Sequence, residues 1–210
     1  VPSARKQRLF MPDGTELWLN SKSELTLRNT DWSDQKDSEL DRVVFLKGEA
    51  YFSVVTTGRK FLVISDKINV KVLGTKFVFT AFDEINRVVL EQGSVRVSLA
   101  GHDSRNANLQ PGEMAVLKDT NEGFNIEKIV PENFSLWKEG IIMFNDEKFD
   151  NILKILEREY NIVIINNNVE LSNKTFTGRF YKGEIEQILD VFNFTNGITY
   201  KKTKNSIIIN

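Results

Sequence analysis

Hydrophobic and polar positions follow two different rhythms along this chain. From Leu9 to Lys128, short runs rich in Val, Phe, Ile and Leu either alternate with polar residues or are wholly apolar, and glycine turns separate them. Examples are "TELWL", "RVVFL", "AYFSVV", "FLVI", "INVKVL", "TKFVFTAF", "RVVL", "SVRVSL" and "MAVL". Period two with β-branched and aromatic residues predicts many short strands. The turns are "PDG" at 12–14, "KG" at 47–48, "LGT" at 73–75, "QG" at 92–93 and "PG" at 111–112. From Gly74 the turn glycines recur at Gly93 and Gly112, a step of 19 residues that predicts stacked coils or layered hairpins in a β-rich roll or solenoid-like body.

After Lys128 the period changes. Phe149, Ile152, Leu153, Leu156 and Tyr160 fall at i, i+3, i+4, i+7 on one helical face, with Asp150, Lys154, Glu157 and Arg158 on the other. The pattern then repeats at a constant offset of 36: Phe144 falls on Phe180, Phe149 on Ile185, Ile152 on Ile188, Leu153 on Leu189, Ile155 on Val191, Leu156 on Phe192 and Ile162 on Ile198. Asn145 or Asp146 is placed to cap the first helix, and Asn161 and Gly197 to end the two helices in the left-handed conformation. Apolar runs flank each helix, so each copy reads as β-α-β, and "NSIIIN" closes the chain as a further strand. Neither copy can bury its helix stripe alone, which predicts one small sheet with both helices on one side. The fold class is mainly β plus α+β: a β-rich domain over 1–129, a hinge over 130–139 beginning near Pro131, and a split β-α-β domain over 140–210.

Composition narrows the function. With 40% hydrophobic residues and 27% charged, 210 residues bury a sizeable core. A net charge of −1, with no basic stripe interleaved with aromatics, argues against nucleic acid as a partner. Cysteine is absent, which excludes disulfides, thiolate nucleophiles and cysteine metal sites. No apolar run reaches about 18 residues, the length that spans a bilayer. "VPSARKQRLF" has no apolar middle region of a signal peptide, and a start at Val1 reads as a piece of a longer parent.

Candidate chemistry is sparse. Glu49 in "GEAYF" is the best acid or base, yet its place beside Gly48 reads as a turn-fixing role. The single histidine, His102, falls in the polar "AGHDSRN", read as a loop, and zinc needs three or four converging ligands. "LGTKF" lacks the glycines and Gly-Lys-Ser/Thr ending that cradle phosphates. The charges Glu157, Arg158 and Glu159 read as a solvated face. No catalytic residue, cofactor site or metal site is assigned, and an enzyme is not expected.

"MPDGTELWLNSKSEL", "RVVFLKGEAYFSVV", "KFLVISDKINVKVLGTKFVFTAF", "RVVLEQGSVRV" and "LQPGEMAVL" resemble, in order, the motifs of FecR-like transmembrane regulators. The segment from "FNDEKFDNILKILEREYNIVI" to "SIIIN" is similar to the small domain that often follows FecR, related to the short N-terminal domain of secretins and TonB-dependent transporters. Val78 departs from the asparagine common at that position of the family. The resemblance implies the periplasmic sensor part of an anti-sigma factor, anchored in the inner membrane through its parent. Its implied partner is the signalling domain of an outer-membrane TonB-dependent transporter. A sigma factor would be held only by a cytoplasmic domain absent from this sequence.

A split β-α-β domain leaves strand edges available, and an edge offers unpaired N–H and C=O groups to another chain. The candidate edges are 175–180 and 206–210, with Phe176, Gly178, Phe180, Ile207, Ile208 and Ile209 as partner-binding residues. The alternative is a carbohydrate- or surface-binding β module using Trp18, Trp32 and Trp137 as stacking platforms, which requires two of them exposed on one surface. Trp32 sits in the polar stretch 29–41, read as a solvated loop.

Overall fold

A computed structural model describes residues 1–28, 41–119 and 122–210. The chain divides into two compact units, Lys6–Ser135 with Val1, and Leu136–Asn210 with Pro2–Arg5. Trp32 lies outside the described residues.

Among the described residues the first unit has twelve strands: β1 (Gln7–Phe10), β2 (Glu16–Leu19), β3 (Glu24–Leu27), β4 (Arg42–Ser53), β5 (Phe61–Ile64), β6 (Ile68–Val72), β7 (Lys76–Ala81), β8 (Asn86–Gln92), β9 (Val95–Leu99), β10 (His102–Leu109), β11 (Glu113–Asp119) and β12 (Gly123–Lys128). The runs read separately as "RVVFL" and "AYFSVV" form the single strand β4, which serves two sheets. Residues 42–47 pair with β3 and β5, and residues 48–53 with β2 and β7. Gly48 sits at that junction with φ +110°, where a Cβ would meet Ser23 Oγ at 2.4 Å. One sheet therefore runs β1-β2-β4-β7-β8-β11-β12 and the other β3-β4-β5-β6-β9-β10, and β10 lies beside β11 and β12. The result is a nearly closed, barrel-like roll whose inner residues include Phe52, Phe61, Phe77 and Phe79, all fully buried. Val78 is buried in mid-strand, so no turn depends on that position.

The first interval of the 19-residue step, Gly74 to Gly93, joins two turns in direct contact. Thr75 Oγ1 donates to Ser94 O at 3.1 Å. A Cβ on Gly93 would sit 2.9 Å from Gly74 O, and one on Gly74 1.7 Å from Thr56 Oγ1. At Gly74 and Gly93 a side chain would collide with the neighbouring residues, whereas Gly112 has room for a Cβ and answers to its φ of +85°.

Arg42 opens β4 with its side chain buried. It donates to Asp13 Oδ2 (2.5 Å), Val55 O (3.1 Å), Arg59 O (2.9 Å) and Leu73 O (3.4 Å), and its guanidinium lies 5.3 Å from the Phe61 ring centroid. Asp13 also accepts from Thr15 N and Thr15 Oγ1. One cation thus ties the "PDG" turn to two other loops, the one between β4 and β5 through Val55 and Arg59 and the one between β6 and β7 through Leu73, satisfying carbonyls that burial would otherwise leave unpaired.

The second unit contains β13 (Ile141–Lys148), α1 (Phe149–Tyr160), β14 (Val163–Asn166), β15 (Thr175–Tyr181), α2 (Ile185–Asn196), β16 (Tyr200–Lys202) and β17 (Ser206–Ile209). The two helices are 12 residues each and start 36 residues apart. Each ends on a left-handed residue, Asn161 (φ 53°) and Gly197 (φ 68°), as the sequence predicts. Instead of one sheet there are two: β13 pairs with β15, while β14, β17 and β16 form a three-stranded sheet. Phe149, Ile152, Leu153 and Leu156 of α1 and Ile188, Leu189 and Phe192 of α2 share one core with Ile142, Phe144, Ile207 and Ile209.

Helix α1 is not capped by Asn145 or Asp146. These residues form a bulge in β13, with Asp146 at φ 49° and its N–H on Thr177 Oγ1. The strand continues to Lys148, and the first helical N–H groups of Phe149 and Asp150 instead donate to Lys174 O and Ser172 O. Glu157 and Glu159 also differ from a solvated face. Glu157 Oε1 accepts from Ile164 N at 2.7 Å, and buried Glu159 pairs with Lys182 at 3.0 Å.

Candidate partner-binding edge

Among the described residues strand β15 pairs only with β13, and its other edge carries no strand. Lys182 N donates to Gly140 O, which fixes the alternation of the ladder. Counting back two residues at a time, Phe180 and Gly178 direct their backbone groups at β13, and Tyr181 and Arg179 turn theirs outward.

The side chains alternate with the same period. Phe176 and Phe180 are half-buried on the helix side, where Phe180 meets Phe144 at 5.8 Å between centroids and Phe176 meets Phe149 at 5.7 Å and Phe192 at 5.1 Å. Gly178 lies between them, and a Cβ there would stand 2.9 Å from Phe180 Cε2. The opposite face presents Thr175, Thr177, Arg179 and Tyr181, with Tyr181 75% exposed. Phe176, Gly178 and Phe180 therefore shape the edge from within, and Arg179 and Tyr181, which the sequence reading passed over, are the groups it shows to solvent.

The other predicted edge is not one. β17 pairs with β14 in parallel and with β16 antiparallel, so both of its sides are occupied. Ile207 and Ile209 are fully buried against the helices, and Ile208 sits on the opposite face across from Ile165. A proline at Ile208 would break a central ladder rather than report on an edge. On that outer face Val163 and Ile165 are 56% and 47% exposed, a placement that the wholly apolar run "IVII" conceals.

The remaining candidates are structural. Both carboxylate oxygens of Glu49 are engaged, Oε2 by Asn20 Nδ2 (2.6 Å) and Oε1 by Thr80 Oγ1 (2.8 Å). His102 is exposed at the start of β10 rather than in a loop. Trp137 is buried and cannot serve as a stacking platform, and Trp18 is half-buried with its Nε1 on Glu16. Among the described residues no group of three or more His, Asp or Glu could hold a metal ion, and no helix is long and apolar enough to cross a membrane.

Electrostatics fix the second helix to its sheet. Lys202 of β16 donates to Glu186 of α2, and this bond holds the Glu186 carboxyl below its usual range. Tyr200 donates to Asp190 at 2.7 Å, which pushes the phenol up to about 12.

Comparison with known proteins places two family models on the chain: "FecR protein" over residues 1–96 and "FecR, C-terminal" over residues 141–209. Two crystal structures of a candidate anti-sigma factor from Parabacteroides distasonis are similar at 25% identity. They superpose with TM-scores of 0.87 and 0.86, covering 100% of this chain and 96% and 95% of theirs. No curated protein matches significantly.

Proposed function

Because the chain carries a FecR domain followed by a FecR C-terminal domain, and so belongs to the FecR family of anti-sigma factor regions, we propose that it is the periplasmic signal-receiving part of such a regulator. Its second unit receives the signalling domain of an outer-membrane TonB-dependent transporter. The state of that transporter passes to an extracytoplasmic-function sigma factor through a cytoplasmic part of the parent. The chain works by binding rather than by catalysis.

The observation that carries this reading is the open β15 edge, where Arg179 and Tyr181 offer backbone groups in the geometry that strand addition uses. Exposed Tyr181 supplies an aromatic contact beside it, and Phe176 and Phe180 stiffen the strand from the core side.

The test is calorimetric titration of the transporter signalling domain encoded beside this chain into the full chain, into a truncation lacking residues 140–210, and into Arg179→Pro. Proline at 179 removes an outward N–H while leaving the β13 ladder in place. The full chain is expected to bind, the truncation not, and Arg179→Pro at least tenfold more weakly with an unchanged circular dichroism spectrum. Undiminished binding by a folded Arg179→Pro would refute strand addition at β15. Undiminished binding by the truncation would move the receiver to the first unit.

A further inference from the structure

The outer face of the second sheet of the roll contains a cavity of about 130 Å³ lined by Leu62, Ile64, Asn69, Lys71, Arg96, Ser98 and Asp103. Its floor is set by strand register. Lys71 of β6 stands directly opposite Arg96 of β9, and in the next row Asn69 stands directly opposite Ser98. Leu62 and Ile64 of β5 continue the same two rows as an apolar flank.

Like charges directly opposed across an antiparallel pair are destabilising. Neither Lys71 nor Arg96 forms an ion pair among the described residues. The second row is also unsatisfied: among the described residues Asn69 Oδ1 is sealed from solvent with no donor, and Ser98, 4% exposed, has no side-chain partner. Unpaired polar groups at such positions call for an explanation. Two cations side by side, two neutral hydrogen-bonding groups one row away and an aliphatic wall converge on one small space. Asp103 contributes the single negative charge, so the cavity carries one net positive charge and favours a monoanion over a dianion.

We propose that this cavity binds a small hydroxylated monocarboxylate, the chemistry of a sugar acid. The carboxylate bridges the Lys71 ammonium and the Arg96 guanidinium, which removes their mutual repulsion and gains charge-assisted hydrogen bonds. Ligand hydroxyls accept from Asn69 Nδ2 and exchange hydrogen bonds with the Ser98 hydroxyl. The carbon skeleton lies on Leu62 and Ile64. This site belongs to the β-roll and is independent of the β15 edge, so either assignment can fail without the other.

The test is calorimetric titration of the full chain with sodium D-glucuronate, with D-glucose, sodium propanoate and inorganic phosphate as controls at matched ionic strength. D-Glucuronate is expected to bind with a submillimolar Kd, D-glucose to give no heat, and phosphate and propanoate to bind at least tenfold more weakly. Lys71→Gln and Arg96→Gln each lower glucuronate affinity at least tenfold, and Asp103→Asn raises it severalfold. All three residues lie on the outer face, and thermal melts that match the parent confirm that the variants fold. No heat from glucuronate, or equal binding by Arg96→Gln, would overturn the site. Equal binding of propanoate and glucuronate would overturn the role given to Asn69 and Ser98.

Discussion

Replacing Asp13 by alanine leaves the Arg42 guanidinium inside the roll without its counter-ion. The side chains of Arg42 and Asp13 are only 1% and 4% exposed, so solvent screens little of the lost attraction. Three hydrogen bonds disappear at once, from Arg42 Nη1, Thr15 N and Thr15 Oγ1. The bonds from Arg42 to Val55 O, Arg59 O and Leu73 O remain to share the stranded charge. Breaking a buried pair by removing one partner costs about 3–5 kcal/mol. For a unit of about 130 residues, unfolding entropy near 2.1 cal/mol/K per residue makes 4 kcal/mol a fall of about 15 °C in Tm. Differential scanning calorimetry measures it, and Trp18 fluorescence in a Trp32→Phe/Trp137→Phe background assigns the shifted transition to the roll. The double variant Asp13→Ala/Arg42→Met removes the stranded charge and is expected to recover part of the loss, limited by the three carbonyls that lose their donor. A fall below about 3 °C in Asp13→Ala, or a double variant worse than the sum of its singles, would refute the view that this pair holds the turn and the loops together.

Two further outcomes concern the second unit. Phe149 is fully buried and meets the rings of Phe176 and Phe192 edge-on, so Phe149→Ala is expected to cost about 3–5 kcal/mol, read as loss of helical circular dichroism at a lower temperature. Tyr200 has a folded pKa raised to about 12 by its bond to Asp190, so the stability it contributes is complete below its unfolded value near 10 and is lost as pH rises from about 10 to 12. Melts across that range should show a decline in the second unit that Tyr200→Phe reduces, and an unchanged decline would remove Tyr200 as its source.

Local signals in the sequence carried far. The stripe from Phe149 to Tyr160, its echo 36 residues later, and the left-handed ends at Asn161 and Gly197 all depend on neighbours within a few residues, and the structure has each of them. The first interval of the 19-residue glycine step, Gly74 to Gly93, was legible because those two turns touch. Non-local pairing was not legible. Nothing within "RVVFL" marks Arg42 as a buried cation, because its partner Asp13 lies 29 residues away. β17 reads as a terminal edge, because β14, its parallel neighbour, is separated from it by a whole helical repeat. The opposition of Lys71 and Arg96 likewise appears only once β6 and β9 are in register. In β15, period-two alternation does sort Phe176 and Phe180 from Arg179 and Tyr181, but the pattern alone does not say which set faces inward.

The central place of β17 also changes what the internal repeat means for folding. Ser206–Ile209 binds the strand that follows the first helix on one side and the strand that follows the second helix on the other. A solenoid repeat can form beside any formed neighbour and propagate along the chain. Here neither half can complete its sheet until residues more than 40 positions apart have met, which raises the contact order of a unit whose helices are individually local. The two halves are copies in sequence but one cooperative unit in folding, and damage to either is expected to melt both together.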